Sequence, residues 1–359
     1  MVNKELYKNM INIAIQKNED LDMLSVAGNL NEFDGFDSNE IKDSKKILVI
    51  GCANTRSIMS LLDNVRDDAE VIILEDDKNY INNLIEYTEE CRIKPIIKLC
   101  DLTNMKLNYE FVGRLINEKP INSIEEYLKF IKIIENVTKN NPLIRNEWAD
   151  VLFVNLYNRY DKNIIKNIMA QGFTLLKEQG KILINVVLSD ENIKKNINNL
   201  FNNIQIKNIP LESEMLNDLE KVGYLAIGYT RRSTLPLRIV KQVELRSYVV
   251  KATKGTQGIC KEKGHSVLYC GPWKEVIDDD GHRLIRGKRS AVCEKTFKNL
   301  TSESYRAEVI GIEPYYIISE EEAQVFDCSI RPIRDPKITK GIKKLESKNI
   351  EDIEEVKCC

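Results

Sequence analysis

Apolar residues come along this chain in short unbroken runs, separated by stretches in which they keep helical spacing. Ile47-Leu48-Val49-Ile50, Val71-Ile72-Ile73-Leu74, Pro95-Ile96-Ile97-Lys98-Leu99-Cys100, Val151-Leu152-Phe153-Val154-Asn155 and Ile182-Leu183-Ile184-Asn185-Val186-Val187 are the clearest of these runs. Short continuous runs, rather than alternation, predict strands buried on both faces, the habit of a parallel sheet. Ile58, Leu61 and Leu62 after the first run, and the segment from Tyr80 to Cys91 after the second, are spaced as helices. Strands alternating with helices at this interval predict βαβ units and an α/β fold, a doubly wound and mostly parallel sheet covered on both faces.

Asn104 to Trp148 carries Ile, Leu, Phe and Tyr at helical spacing and predicts a two-helix insertion, an extra helical layer with its own core. After a further helix and the strand Tyr224-Leu225-Ala226-Ile227-Gly228-Tyr229, the pattern turns strand-rich, and Thr230 to Pro236 is the expected domain boundary. The expected division is a helical extension over 1–44, a cofactor-binding domain over 45–232 with its insertion at 104–148, a smaller α+β domain over 233–341, and a charged tail over 342–359 ending in Cys358-Cys359. A chain of 359 residues with 43% hydrophobic content can fill two such cores. Its 53 basic and 55 acidic residues leave a net charge of -2, which points to no nucleic-acid and no membrane partner. Met1-Val2-Asn3-Lys4-Glu5 opens no secretory signal, and no run approaches the roughly 18 apolar residues of a membrane span. The cytoplasm is the expected compartment, and the nine irregularly spaced cysteines are expected there as thiols.

An open parallel sheet takes its ligand outside the carboxyl ends of its strands, where the strand order reverses. A glycine after the first strand lets the backbone approach a nucleotide, and a carboxylate ending the second accepts from ribose hydroxyls. Gly51 and Glu75 hold those positions, and Asp101 follows the third strand. The same strand ends make Cys52, Ala53, Asp76 and Asn155 candidate cofactor contacts.

The most specific wording lies further on. Cys260-Lys261-Glu262-Lys263-Gly264-His265, Asp278-Asp279-Asp280-Gly281-His282, the stretch from Arg286 to Thr296 and Val325-Phe326-Asp327-Cys328 occur in that order. Together they resemble the C-terminal domain of arsenite methyltransferases. The resemblance implies that a methyltransferase-type, doubly wound domain precedes it, with S-adenosylmethionine as cofactor and Asp101 near the adenine. It also implies transfer of a methyl group to a soft nucleophile, such as a thiol or a thiolate-bound metalloid, with a small molecule as substrate. Two departures stand beside it. The usual Gly-x-Gly-x-Gly turn reads Gly51-Cys52-Ala53-Asn54-Thr55, and Leu176-Lys177-Glu178-Gln179-Gly180 replaces a Leu-Lys-Pro-Gly-Gly turn. The stretches where the family carries its arsenic-binding cysteines contain none here: Arg56 to Met59, Ser189 to Ile193 and Glu244 to Tyr248. These departures favour a second reading, a catalytically silent relative that binds a cofactor, a metalloid or a partner protein. No catalytic residue is singled out.

The remaining soft-ligand candidates are Cys260, Cys293 and Cys328, which match cysteine positions of the relatives and could either converge on a metal or metalloid or serve as structural thiols. No Cys-x-x-Cys pair supports a zinc site of the usual spacing. Cys270 reads as a small strand residue and Trp273 as a packing anchor. Asp278 to His282 reads as a tight turn between strands.

Overall fold

The computed structural model describes residues 24–25, 41–52, 55–155, 157–193, 206–240, 242–305, 307–328 and 333–345. Most of the expected helical extension, Ala53 and the cysteine-ended tail lie outside these residues. The chain divides into two units. One runs to Val222 and takes in Gly228–Ala252, and the other joins Gly223–Ile227 to the chain from Thr253 onward, so the division falls some twenty residues after the expected Thr230 to Pro236 segment.

In the first unit the apolar runs form strands. After β1 (Leu24–Ser25) come β2 (Lys46–Ile50), β3 (Glu70–Glu75), β4 (Ile96–Leu99), β5 (Ala149–Val154) and β6 (Leu176–Ser189), then β7 (Tyr224–Arg232), β8 (Arg238–Val240) and β9 (Val243–Lys254), the start of β7 and the last two residues of β9 being assigned to the other unit. Their order is β1-β8-β9-β6-β5-β2-β3-β4, with β7 paired to β9. β4, β3, β2, β5 and β6 are parallel neighbours. The order reverses between β2 and β5, which makes their carboxyl ends the switch point.

Helix α1 (Thr55–Asn64) and helix α2 (Lys78–Thr88) connect β2 to β3 and β3 to β4. Their Ile58, Leu61, Leu62 and Leu84 form one core with Ile47, Val49, Val71, Ile73, Val151, Phe153 and Leu183. These strand positions alternate, so they share one face of the sheet. Helix α5 (Lys162–Leu175) connects β5 to β6, on the other side of the reversal, and the right-handed crossover rule places it on the opposite face. The sheet is therefore doubly wound, as its runs predict.

The insertion is two helices, α3 (Tyr109–Glu118) and α4 (Ile124–Asn140). Asn108 caps α3 by accepting from Phe111 N at 3.1 Å, and Ser123 caps α4 by accepting from Glu126 N at 3.2 Å. Leu107, Val112 and Val137 form a separate core between them. Helix α6 (Glu212–Val222) precedes β7.

The second unit consists of small antiparallel sheets. β10 (Lys261–Glu262) pairs with β16 (Gln324–Val325), β11 (Ser266–Tyr269) lies between β14 (Arg289–Ala291) and β15 (Val309–Ile312), and β12 (Glu275–Ile277) pairs with β13 (Arg283–Ile285). Helix α7 (Glu294–Leu300) packs Phe297 and Leu300 against Val267, Tyr269, Leu284, Val292 and Val309. The Asp278 to His282 turn joins β12 and β13 as expected: Gly281 supplies a φ of 78°, and Asp278 accepts from His282 N at 2.6 Å and pairs with its Nδ1 at 2.8 Å. Two sequence readings are corrected. Trp273 is 65% exposed and anchors no core, because the loop that carries it lies on the surface after β11. Cys270 is exposed just beyond β11, with its thiol donating to Glu308 O at 3.2 Å. No helix among the described residues is long and apolar enough to cross a membrane.

Candidate functional site

At the switch point, the structure brings together Gly51, Cys52, Glu75, Asp76 and Asn155. Gly51 leaves β2 with φ 85° and donates from its N to Leu74 O at 2.8 Å, while Asn155 N donates to Ile50 O at 2.8 Å. Glu75 ends β3 with its side chain fully buried. Asp101 is exposed, and its Oδ1 accepts from Thr103 N at 2.8 Å and Thr103 Oγ1 at 2.7 Å, bonds that fix the local turn after β4. Ala53 lies outside the described residues.

Two residues that the sequence reading passed over dominate this crevice. A single 3-10 turn, Tyr157–Arg159, leaves the carboxyl end of β5. Arg159 donates from Nη1 to Glu75 Oε2 and from Nη2 to Glu75 Oε1, each at 2.7 Å, and also from Nη2 to Asp76 Oδ1 at 2.8 Å. Its guanidinium lies 4.3 Å from the ring centre of Tyr80 and 5.4 Å from that of Tyr160. Glu75 also accepts from Cys52 N at 2.8 Å, Cys52 Sγ at 3.2 Å, Asp76 N at 2.8 Å and Asp77 N at 3.0 Å. A carboxylate offers about four lone-pair sites. Six donors already converge on this one.

The electrostatics follow from this packing. Burial alone would raise Glu75, but the Arg159 bonds and charge outweigh it and hold the carboxyl well below its usual range. Asp76 moves the other way, to about 6, through its own burial and the neighbouring Glu75. Burial, followed by the Glu75 charge, pushes the Cys52 thiol far up, so it is no thiolate at neutral pH. Above Gly51, the Tyr160 hydroxyl stands too close to the position of a Cβ on that glycine to leave room for one. Tyr160 is buried, and its hydroxyl has no hydrogen-bond partner among the described residues.

The second cluster lies in the second unit. Cys260 precedes β10, and its O accepts from Phe326 N at 2.8 Å across the ladder with β16. Cys328 follows two residues after Phe326, and Cys293 caps α7 just past β14. The three Sγ atoms lie within 4.8 Å of one another and all three residues are buried. Ala291 and Phe326 complete an apolar shell around them. Cys293 Sγ lies 3.3 Å from Thr296 N, which donates to it, and 3.2 Å from Thr296 Oγ1. No other His, Cys, Asp or Glu among the described residues joins the group.

A metal–sulfur bond of about 2.3 Å puts three trigonal sulfurs about 4 Å apart. Sulfurs that already lie within 4.8 Å of one another would therefore have to close by at most about 0.8 Å on binding an ion. The sequence signal for the triad was three cysteines at unrelated spacings, and only the folding of β10, β14 and β16 brings them to one point.

A family model described as "Domain of unknown function (DUF8838)" matches residues 256–344, the stretch that contains all three cysteines. No curated protein matches the chain. Among similar solved structures, CrArsM, an arsenic(III) S-adenosylmethionine methyltransferase from Chlamydomonas reinhardtii, is 9% identical, with 90% of this chain and 98% of that chain covered at a TM-score of 0.43. The YcgJ protein of Bacillus subtilis is 11% identical, with 61% of this chain and 95% of that chain covered at a TM-score of 0.41. Human N-acetylserotonin methyltransferase, solved with S-adenosylmethionine, is 10% identical, with 63% and 54% covered at a TM-score of 0.37. The doubly wound fold of this chain is read from its own strand order.

Proposed function

We propose that this protein binds a trivalent, thiophilic metalloid or metal ion at Cys260, Cys293 and Cys328, on a methyltransferase-type fold that serves as scaffold rather than catalyst. The observation that carries the reading is the convergence of three buried sulfurs within 4.8 Å. Charge balance selects the ion. Three thiolates with a trivalent ion form a neutral unit, whereas a divalent ion would leave one negative charge in an apolar shell, and burying an unpaired charge is costly. Coordination number agrees, because a tetrahedral zinc site requires a fourth ligand or water. A three-coordinate ion with a lone pair requires neither.

The chemistry is ligand exchange. Arsenous acid would lose three hydroxyls, each taking a thiol proton and leaving as water, as three As–S bonds form; no electrons are transferred. Thr296 N and Oγ1 would donate to the Cys293 thiolate in the bound state.

Titration of the reduced protein with arsenite or antimonyl tartrate, followed by counting reactive thiols, tests the proposal. Three thiols should disappear per ion bound, and serine at any one of the three positions should remove high-affinity binding. Unchanged thiol counts in a folded protein, or binding that survives all three substitutions, would contradict it. Cys358→Ser/Cys359→Ser is the control for the tail.

A further inference from the structure

We infer that the chain carries its own occupant of the switch-point crevice: the Arg159-Tyr160 pair fills the place of an S-adenosyl ligand and keeps S-adenosylmethionine out while it is docked. The inference is independent of ion binding, since every residue involved belongs to the first unit.

An adenosyl cofactor held by this sheet type needs two things at the carboxyl ends of β2 and β3. A carboxylate must have lone pairs free for ribose hydroxyls, and open space must lie above the glycine turn. The structure uses both for its own side chains. Glu75 is fully buried and receives six donors, two of them from Arg159 in the fork geometry that a guanidinium makes best with a carboxylate. The Tyr160 hydroxyl stands against Gly51, in the path of a Cβ on that residue. A ribose reaching Glu75 would have to strip Arg159 of its bidentate partner and leave a guanidinium, now only 8% exposed, with Asp76 alone.

The placement of the pair is dictated by topology. Arg159 and Tyr160 follow directly from β5, the strand across the switch point from β2, so the turn leaving β5 is delivered over Gly51. The ring of Tyr80, on α2, has its centre 4.3 Å from the guanidinium. Among the described residues, the Tyr160 hydroxyl has no hydrogen-bond partner although the residue is buried. A buried hydroxyl normally has a partner, and this one instead stands against Gly51.

The experiment is calorimetric titration of the full reduced chain with S-adenosylmethionine and S-adenosylhomocysteine. It compares wild type, Tyr160→Ala, which keeps the Glu75–Arg159 pair, and Arg159→Met/Tyr160→Ala, with folding of each checked by circular dichroism. Wild type should show no saturable binding at millimolar ligand. At least one opened variant should gain binding roughly tenfold or more tighter than the wild-type limit, and adding Glu75→Gln should weaken it again. Saturable binding by wild type at micromolar ligand overturns the inference. So does the absence of binding by a folded Tyr160→Ala together with the double variant, because something other than this pair would then close the crevice.

Discussion

Arg159 and Glu75 meet in a two-bond fork, each bond 2.7 Å, with the carboxylate wholly removed from solvent. Breaking such a pair from one side strands a buried charge, which typically costs about 3–5 kcal/mol. Arg159→Met should lower unfolding free energy by about that amount. Glu75→Met/Arg159→Met should lose less than the two single losses summed, since no member of the fork is left as a stranded charge, while the Cys52, Asp76 and Asp77 amides lose their acceptor. Urea denaturation of the two single variants and the double variant gives the coupling directly. Additive losses would mean that the pair is not the unit described here.

Asp76 and Glu75 make opposite contributions to acid stability. A folded-state pKa of about 6 for Asp76 lies above its ordinary 3.8, so the folded protein binds more protons between those values, and this residue adds stability as pH falls through that window. Glu75 is depressed, so its contribution is present above its unfolded pKa and is lost only as pH falls through its lower folded value. Comparing pH 7 with pH 5, wild type should therefore gain stability relative to Asp76→Asn in urea melts. An equal pH response in the two proteins would remove Asp76 from the account.

Gly51 meets two separate constraints, a φ of 85° and the Tyr160 hydroxyl above its α-carbon. Gly51→Ala should cost about 1–2 kcal/mol from the left-handed backbone, plus the displacement of Tyr160. Adding Tyr160→Ala should relieve only the second part. Unfolding free energies that show no such partial rescue would place Tyr160 elsewhere.

Ion binding should stabilise the second unit by mass action, about 2.7 kcal/mol when free ion is one hundred times the dissociation constant. Thr296→Val, which removes the hydroxyl beside Cys293 Sγ, should weaken affinity about 10- to 100-fold, the scale for partners that orient metal ligands. Thermal melts at graded arsenite concentrations measure both effects. A wild-type melting temperature independent of arsenite would contradict the first, and equal shifts in the variant the second.

Sheet and insertion were legible in the sequence because their signals are local. Ile47 to Ile50 and Val71 to Leu74 have no amphipathic alternation to confuse them, and the apolar spacing of α3 and α4 closes its own small core. Helix α5 was missed because Lys162 to Leu175 mixes Asn, Lys and Gln with its apolar face. Glu75 was found by its place after a strand, but its partner lies 84 residues away and only the β2–β5 pairing brings Arg159 to it. The available hint was an arginine inside Tyr157-Asn158-Arg159-Tyr160, an aromatic-rich stretch directly after an apolar strand. The three cysteines were visible as residues, yet their convergence depends on long-range pairing that no spacing rule encodes.

Arsenic K-edge absorption of the full reduced chain, loaded with one equivalent of arsenite, reads the site most directly. The proposed site predicts three sulfur neighbours and no oxygen around each arsenic, with a lower sulfur count in Cys293→Ser and no change in Cys358→Ser/Cys359→Ser. A shell of oxygen, or three sulfurs that persist without Cys260, Cys293 or Cys328, would contradict it.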